Sequence, residues 1–164
     1  MMTPPEALSL IHGPPLADEP GQGAHTIPGY LRQVAARHGP REAMVMRIGD
    51  TRTAWSYAQL LARSLDVARA LVEAGVGKGG RVGILMTNRP EFLFALFGTS
   101  LAGGVPVAMS TFATPNELDH MLKASQVSHL LFEQHVLKKD FHGVLCGLEP
   151  AIPTTSAPGR LVSE

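Results

Sequence analysis

The segment of this 164-residue chain that most directly spells out a chemistry is Gly75-Val76-Gly77-Lys78-Gly79-Gly80. It contains the pattern G-x-G-x-x-G. That pattern binds a dinucleotide when it follows a strand and opens a helix, because the amides at the helix N-terminus then meet the pyrophosphate. Here the order is reversed. The residues before it carry a helical apolar stripe, and the residues after it read as a strand. The segment is expected to be a glycine-rich turn between helix and strand. Lys78 is followed by glycine rather than by Ser or Thr, so a Walker loop is not spelled out either. A small nucleotide-binding domain using Gly75 to Gly80 stays as a rival reading.

The other reactive residue types do not assemble by spacing. The seven histidines are His12, His25, His38, His120, His129, His135 and His142. None pairs at i, i+4 across an acidic residue, and none has cysteine partners at zinc spacing, so no metal site is expected. Cys146 is the one cysteine. It reads as an ordinary thiol with no fixed base beside it. Asp119-His120 reads as part of a solvated helix face. Lys138-Lys139 reads as the basic end of a short helix, complementing its dipole. No catalytic residue is assigned.

The elements that would position these groups are well punctuated. Thr26 to Arg37 reads as a helix with Ile27, Tyr30, Leu31 and Val34 on one face. Ala43–Ile48 and Thr51–Trp55 read as a hairpin turning at Gly49-Asp50. Ser56 and Gln59 form a capping box that opens a long helix, with Leu60, Leu61, Leu65, Ala68, Leu71 and Val72 as its buried stripe and Gly75 as its stop. Val82–Met86 reads as a strand. Asn88 and Glu91 read as a similar cap for a helix over Pro90–Ala102, ended by Gly103-Gly104. Val105–Met109 is the next strand. Thr114 and Glu117 cap the next helix, with Pro115 at its first position and Leu118, Met121 and Leu122 facing inward. Ser128–Phe132 reads as a strand and Gln134–Phe141 as a helix. Alternation of this kind predicts an α/β fold, a partial doubly wound and mainly parallel sheet with helices on both faces.

Composition limits the function classes. Hydrophobic residues make up 45% and charged residues 17%, enough for a packed core. Fourteen basic residues balance fourteen acidic ones, so the basic excess that a nucleic-acid partner demands is missing. Aromatics at 5% give little stacking surface. A single cysteine fits a reducing compartment, and the reading is a cytoplasmic protein. The most apolar run, Phe92 to Ala102, is too short to span a bilayer, so no transmembrane segment is expected. Residues 1–25 are expected to form a flexible Pro/Gly-rich N-terminus, 26–146 the folded subdomain and 147–164 a flexible tail.

Three stretches in order resemble one family. Trp55-Ser56-Tyr57-Ala58-Gln59-Leu60 is similar to an early Leu-Thr-Tyr-x-Glu-Leu motif. GVGKGGRVGILMTNRP, from Gly75 to Pro90 with Glu91 completing it, resembles a turn, a strand and an Asn-x-Pro-Glu helix start. SLAGGVPVAMS, from Ser100 to Ser110, resembles a Lys-Ala-Gly-Ala-x-x-Val-Pro motif. TFATPNELDHML and SQVSHLLFE continue in register. Together they resemble the N-terminal portion of the AMP-forming adenylating enzymes, in the acyl-CoA synthetase branch, with fatty acid metabolism as the setting.

The resemblance implies a ligase that converts a carboxylic acid and ATP into an acyl-adenylate and then into a thioester of coenzyme A, with Mg and ATP used by the complete enzyme. The family's phosphate loop ending in Pro-Lys-Gly and its far C-terminal lysine have no counterpart in these 164 residues. The chain is therefore expected to be an incomplete subdomain, inactive alone. An uncovered sheet edge would invite self-association. A non-catalytic remnant or regulatory subunit that binds a related synthetase is the other alternative. In acetate-activating relatives the segment after the Val-Pro strand and a basic residue after the next strand contact coenzyme A. The matching positions are Ser110, Thr111 and Phe112, then Lys138 with Lys139 adjacent, although the glycines of those relatives are absent here.

Overall fold

The structure is a computed structural model that describes Pro15 and residues 26–152. Apart from Pro15, the N-terminus expected to be flexible lies outside the described residues, as does the tail from 153 onward. Helix α1 (Ile27–His38) is capped by Thr26, whose hydroxyl accepts from the Gly29 amide. Strands β1 (Glu42–Ile48) and β2 (Thr51–Ser56) form an antiparallel hairpin that turns at Gly49, where φ is +56°. Helix α2 (Tyr57–Glu73) opens on the full capping box of Ser56 and Gln59 and stops before Gly75, at φ +97°. Strand β3 (Arg81–Leu85), helix α3 (Pro90–Leu101), strand β4 (Val105–Ala108), helix α4 (Pro115–Ser125) and strand β5 (His129–Phe132) follow in alternation. Two short strands, β6 (His135–Val136) and β7 (Lys139–Asp140), pair antiparallel and lead into helix α5 (Phe141–Leu148).

β3, β4 and β5 form a parallel sheet in the order β4-β3-β5. This order makes the fold doubly wound. β4 lies on one side of β3 and β5 on the other, so two crossovers of the same hand must lie on opposite faces. The core shows them there. Val82 faces Val67 and Leu71 of α2 and Ala102 after α3, together with Leu131. Leu85, on the other side of β3, packs with Leu118 of α4 and Phe141 and Leu145 of α5, together with Leu130 and Phe132. Strand side chains alternate between faces, so β3 must be apolar beyond its exposed first residue, Arg81. Val82, Ile84 and Leu85 are all fully buried.

Four sequence expectations change. Ile27 and Tyr30 are exposed, while Leu31 is buried as expected and Ala35 is buried with it. Val72 is exposed, while Ser64 is buried on α2 with its hydroxyl donating to Leu60 O at 2.7 Å. The reason lies on α3. A methyl group at Gly98 would stand 2.7 Å from Val67 Cβ and 2.9 Å from Ser64 O, so α2 and α3 touch backbone to backbone and only small residues fit between them. Asn88 does not cap α3. Pro90 at the first helical position drives the preceding residue into extended backbone, so Arg89 becomes the cap, with no side-chain bond to the helix backbone, and Glu91 stands one position too early to complete a box.

The fourth change is at Gln134–Phe141, which is not a helix. Leu137 takes a left-handed φ of +54°, and the helix begins only after Asp140, whose carboxylate accepts from the His142 amide. α5 then runs to Leu148, and Ile152 packs against its cluster.

Candidate functional site

In a doubly wound sheet, ligands are met outside the carboxyl ends of the strands, where successive connections leave toward opposite faces. β3 and β4 diverge in this way. Beyond β3 lie Met86 to Arg89, beyond β4 lie Met109 to Thr114, and beyond β5 lie Glu133, Gln134 and the β6–β7 pair.

The segment after β5 ties the other two loops down. Glu133 donates its amide to Leu85 O at 2.9 Å. Its carboxylate accepts from the Thr87 amide at 3.0 Å and the Thr87 hydroxyl at 2.7 Å, and its other oxygen accepts from Arg89 Nη1 at 2.9 Å. Arg89 Nε donates to Glu91 at 2.7 Å. The Glu133 side chain is 18% exposed. Burial works to raise its pKa, but the hydroxyl and amide of Thr87 and the Arg89 charge outweigh it, and the pKa is lowered from the usual value of 4.5. Hydrogen bonding to Arg89 lowers that of Glu91, and hydrogen bonding to Glu91 raises that of Arg89. Sequence reading missed this cluster because Thr87 and Glu133 stand 46 positions apart.

Lys139 performs the same service for the loop after β4. Its ammonium donates to Thr111 O at 3.0 Å and Ala113 O at 2.9 Å and lies 5.9 Å from the centre of the Phe141 ring. It lies on β7 rather than at a helix end, so the expected role of complementing a helix dipole is corrected. Ser110 folds the same loop on itself. Its Oγ accepts from the Phe112 amide at 3.2 Å and its carbonyl from the Ala113 amide. Thr114 and Glu117 close the loop with a complete capping box. The structure thus brings Thr111 and Lys139 into direct contact. Ser110 is exposed, Lys138 is exposed, and Phe112 is 85% exposed.

The glycine-rich segment is a turn from α2 into β3. Gly79 donates to Gly103 O, and Gly75 and Gly79 both hold positive φ. No helix begins there, so no helix N-terminus faces it. Cys146 does have a neighbour, contrary to expectation. His142, one turn earlier on α5, places both ring nitrogens 3.8–3.9 Å from Sγ. Two groups are too few for a metal, and among the described residues no three His, Cys, Asp or Glu side chains converge on one point. An apolar cleft of about 350 Å³ separates the hairpin from the start of α3, lined by Met44, Val45 and Met46 opposite Pro90, Phe92 and Leu93. Among the described residues no helix is long and apolar enough to cross a membrane.

Comparison with known proteins gives this geometry its context. The family described as AMP-binding enzyme matches residues 31–156. The chain is 34% identical over 112 residues to a plipastatin synthase of Bacillus subtilis, covering 68% of this chain and 4% of the relative. It is 31% identical over 139 residues to the putative acyl-CoA synthetase YngI of Bacillus subtilis, covering 85% of this chain and 25% of the relative. The inhibitor-bound N-terminal domain of FACL13 from Mycobacterium tuberculosis superposes with a TM-score of 0.63 at 27% identity, over 81% of this chain and 31% of that one. The chain therefore spans a quarter or less of the length of these two sequence relatives. With the family match running unbroken through the hairpin, the parallel sheet and its carboxyl-edge loops, the chain belongs to the AMP-binding, adenylate-forming enzymes that include the acyl-CoA synthetases.

Proposed function

We propose that this chain is the N-terminal scaffold of a cytoplasmic, ATP-dependent acyl-CoA synthetase. In that reaction a carboxylate attacks ATP to give an acyl-adenylate and pyrophosphate, and coenzyme A then displaces AMP. The observation that carries the reading is the family match over residues 31–156. It contains every element of the doubly wound sheet and all three loops at its carboxyl edge. What the chain contributes is position. Glu133 and Lys139 hold the loops after β3 and β4 in fixed places, the preorganisation that ligand binding on loops requires. Polar contacts to coenzyme A fall on Ser110, Thr111 and the exposed Lys138. Lys139 is engaged with two carbonyls and acts as a strut. No three ligating side chains converge among the described residues, and no step through the metal is assigned to them.

The 164 residues contain no Pro-Lys-Gly phosphate loop. The isolated chain is accordingly expected to release no pyrophosphate above background when incubated with ATP, Mg²⁺ and a panel of carboxylic acids. Acid-dependent release in a coupled pyrophosphate assay would overturn this. A coenzyme A titration that is weakened several-fold by Lys138→Ala and left intact by Arg69→Ala would support the placement of the polar contacts. Arg69 lies on the solvent face of α2, paired with Asp66.

A further inference from the structure

The two most exposed large hydrophobic residues of the described chain are Leu137, at 94%, and Phe112, at 85%. Both stand at the carboxyl edge of the sheet. They lie on segments that are bonded to each other, because Lys139, two residues after Leu137, donates to the carbonyls on either side of Phe112. Neither position is loosely held. The Phe112 loop is fixed by Ser110, by Lys139 and by the Thr114 box. Leu137 occupies the turn between β6 and β7, whose Val136 and following Phe141 are buried in the core.

Neither side chain serves the fold as it stands. Leucine at φ +54° adopts a conformation that L residues rarely hold and that glycine holds freely. Its side chain gains no burial in return. A phenylalanine left in water on a pinned loop likewise contributes nothing to the core. Rigid, exposed apolar side chains presented on two segments bonded to each other are the anatomy of an interface anchor.

The relatives indicate the occupant. This chain covers 31% of the FACL13 N-terminal domain and 25% of YngI, so most of an adenylating domain lies outside the span and must pack on it somewhere. We propose that Phe112 and Leu137 are the anchors on which the remainder of an adenylating domain docks, with Lys139 as the strut that sets their spacing. The proposal rests on the reading of the chain as a synthetase scaffold. It also reassigns Phe112 from a coenzyme A contact to an interface residue.

The test uses the whole 164-residue chain, co-expressed with YngI from which the aligned quarter has been deleted, at a split where returning YngI's own quarter in trans restores soluble protein. The wild-type chain is expected to co-purify with the deleted YngI. Phe112→Ser and Leu137→Gly are expected to weaken the pair at least about tenfold. Ile48→Ser, at an exposed hydrophobic position on the hairpin, is expected to leave it unchanged. Leu137→Gly suits the backbone at that turn, so its loss of binding is not a folding defect, and melting curves of all three variants check this directly. No association, association indifferent to both anchor variants, or self-dimers that form through these residues in preference to the pair would each overturn the proposal. Adenylation by the co-purified pair is read separately. A pair that docks without activity counts against the synthetase reading and leaves the docking intact.

Discussion

Glu133 shows how much of this molecule depends on single polar side chains that reach across the sheet. Its carboxylate takes two hydrogen bonds from Thr87 and an ion pair from Arg89, all on the loop after β3, with only 18% of the side chain exposed. The folded pKa lies below the ordinary 4.5. The charge therefore stabilises the fold fully above the unfolded pKa, and this contribution is lost as pH falls through the folded one. Glu133→Gln keeps an acceptor for Thr87 but removes the charge that Arg89 pairs with. It is expected to lower stability by about 1–2 kcal/mol at pH 7, a range reduced for the exposure of Arg89. The gap between variant and wild type should narrow as pH falls below the ordinary 4.5 and close as it passes through the lowered folded pKa, where the wild-type carboxylate is protonated. Urea melts of both proteins between pH 3.5 and 7 check this. A gap that stayed constant across that range would show that the charge is not the source.

Among the elements, the α2–α3 pair is the most demanding. Its close approach depends on Gly98 facing Val67 and Ser64. Gly98→Ala adds a better helix former, worth about 1 kcal/mol. It also places a methyl 2.7 Å from Val67 Cβ and Cγ1 and 2.9 Å from Ser64 O. Overpacking of this kind costs about 1–3 kcal/mol, so the net change is expected to be destabilising. Adding Val67→Ala relieves the side-chain part of the clash and is expected to recover part of the loss. Chemical denaturation of the single and double variants measures the coupling. This packing explains one of the two departures from the sequence reading of α2, the burial of Ser64. Ser64 looks polar and solvent-facing from its type alone. Only the partner helix shows that its hydroxyl folds back onto Leu60 O and its face is closed.

For the whole molecule, the open question is the sheet's edges. Val105 and Met109 turn their amides to Gly80 O and Ile84 O, so along β4 the outward positions are Pro106 and Ala108. Pro106 has no N–H to offer, which blunts this edge against pairing with another chain. Pro106→Val restores an outward donor within a run of β-branched residues. It is expected to raise concentration-dependent association, read by light scattering over a dilution series. An unchanged molar mass at all concentrations would show that Pro106 is not what protects the edge.

Local chemistry was sufficient to specify most of the elements. Ser56 with Gln59 and Thr114 with Glu117 write their helix starts into four residues each, and Gly75 and Gly103 write the stops, so these features appear in the sequence and recur in the structure. Apolar runs such as Val82 to Leu85 likewise announce a strand covered on both faces, and the order of motifs from Trp55 to Phe132 pointed to the family. The tertiary structure decided what depends on distant partners. It made Gln134 to Asp140 a strand pair with a left-handed Leu137, because Lys139 has carbonyls 26 and 28 residues away to hold and Asp140 has a helix to cap. It also decided that the loops at the carboxyl edge are pinned in place with Phe112 and Leu137 facing water. Capping and periodicity act within a few residues of the chain. Hydrogen bonds across a sheet edge and backbone contact between helices act between segments that only folding brings together.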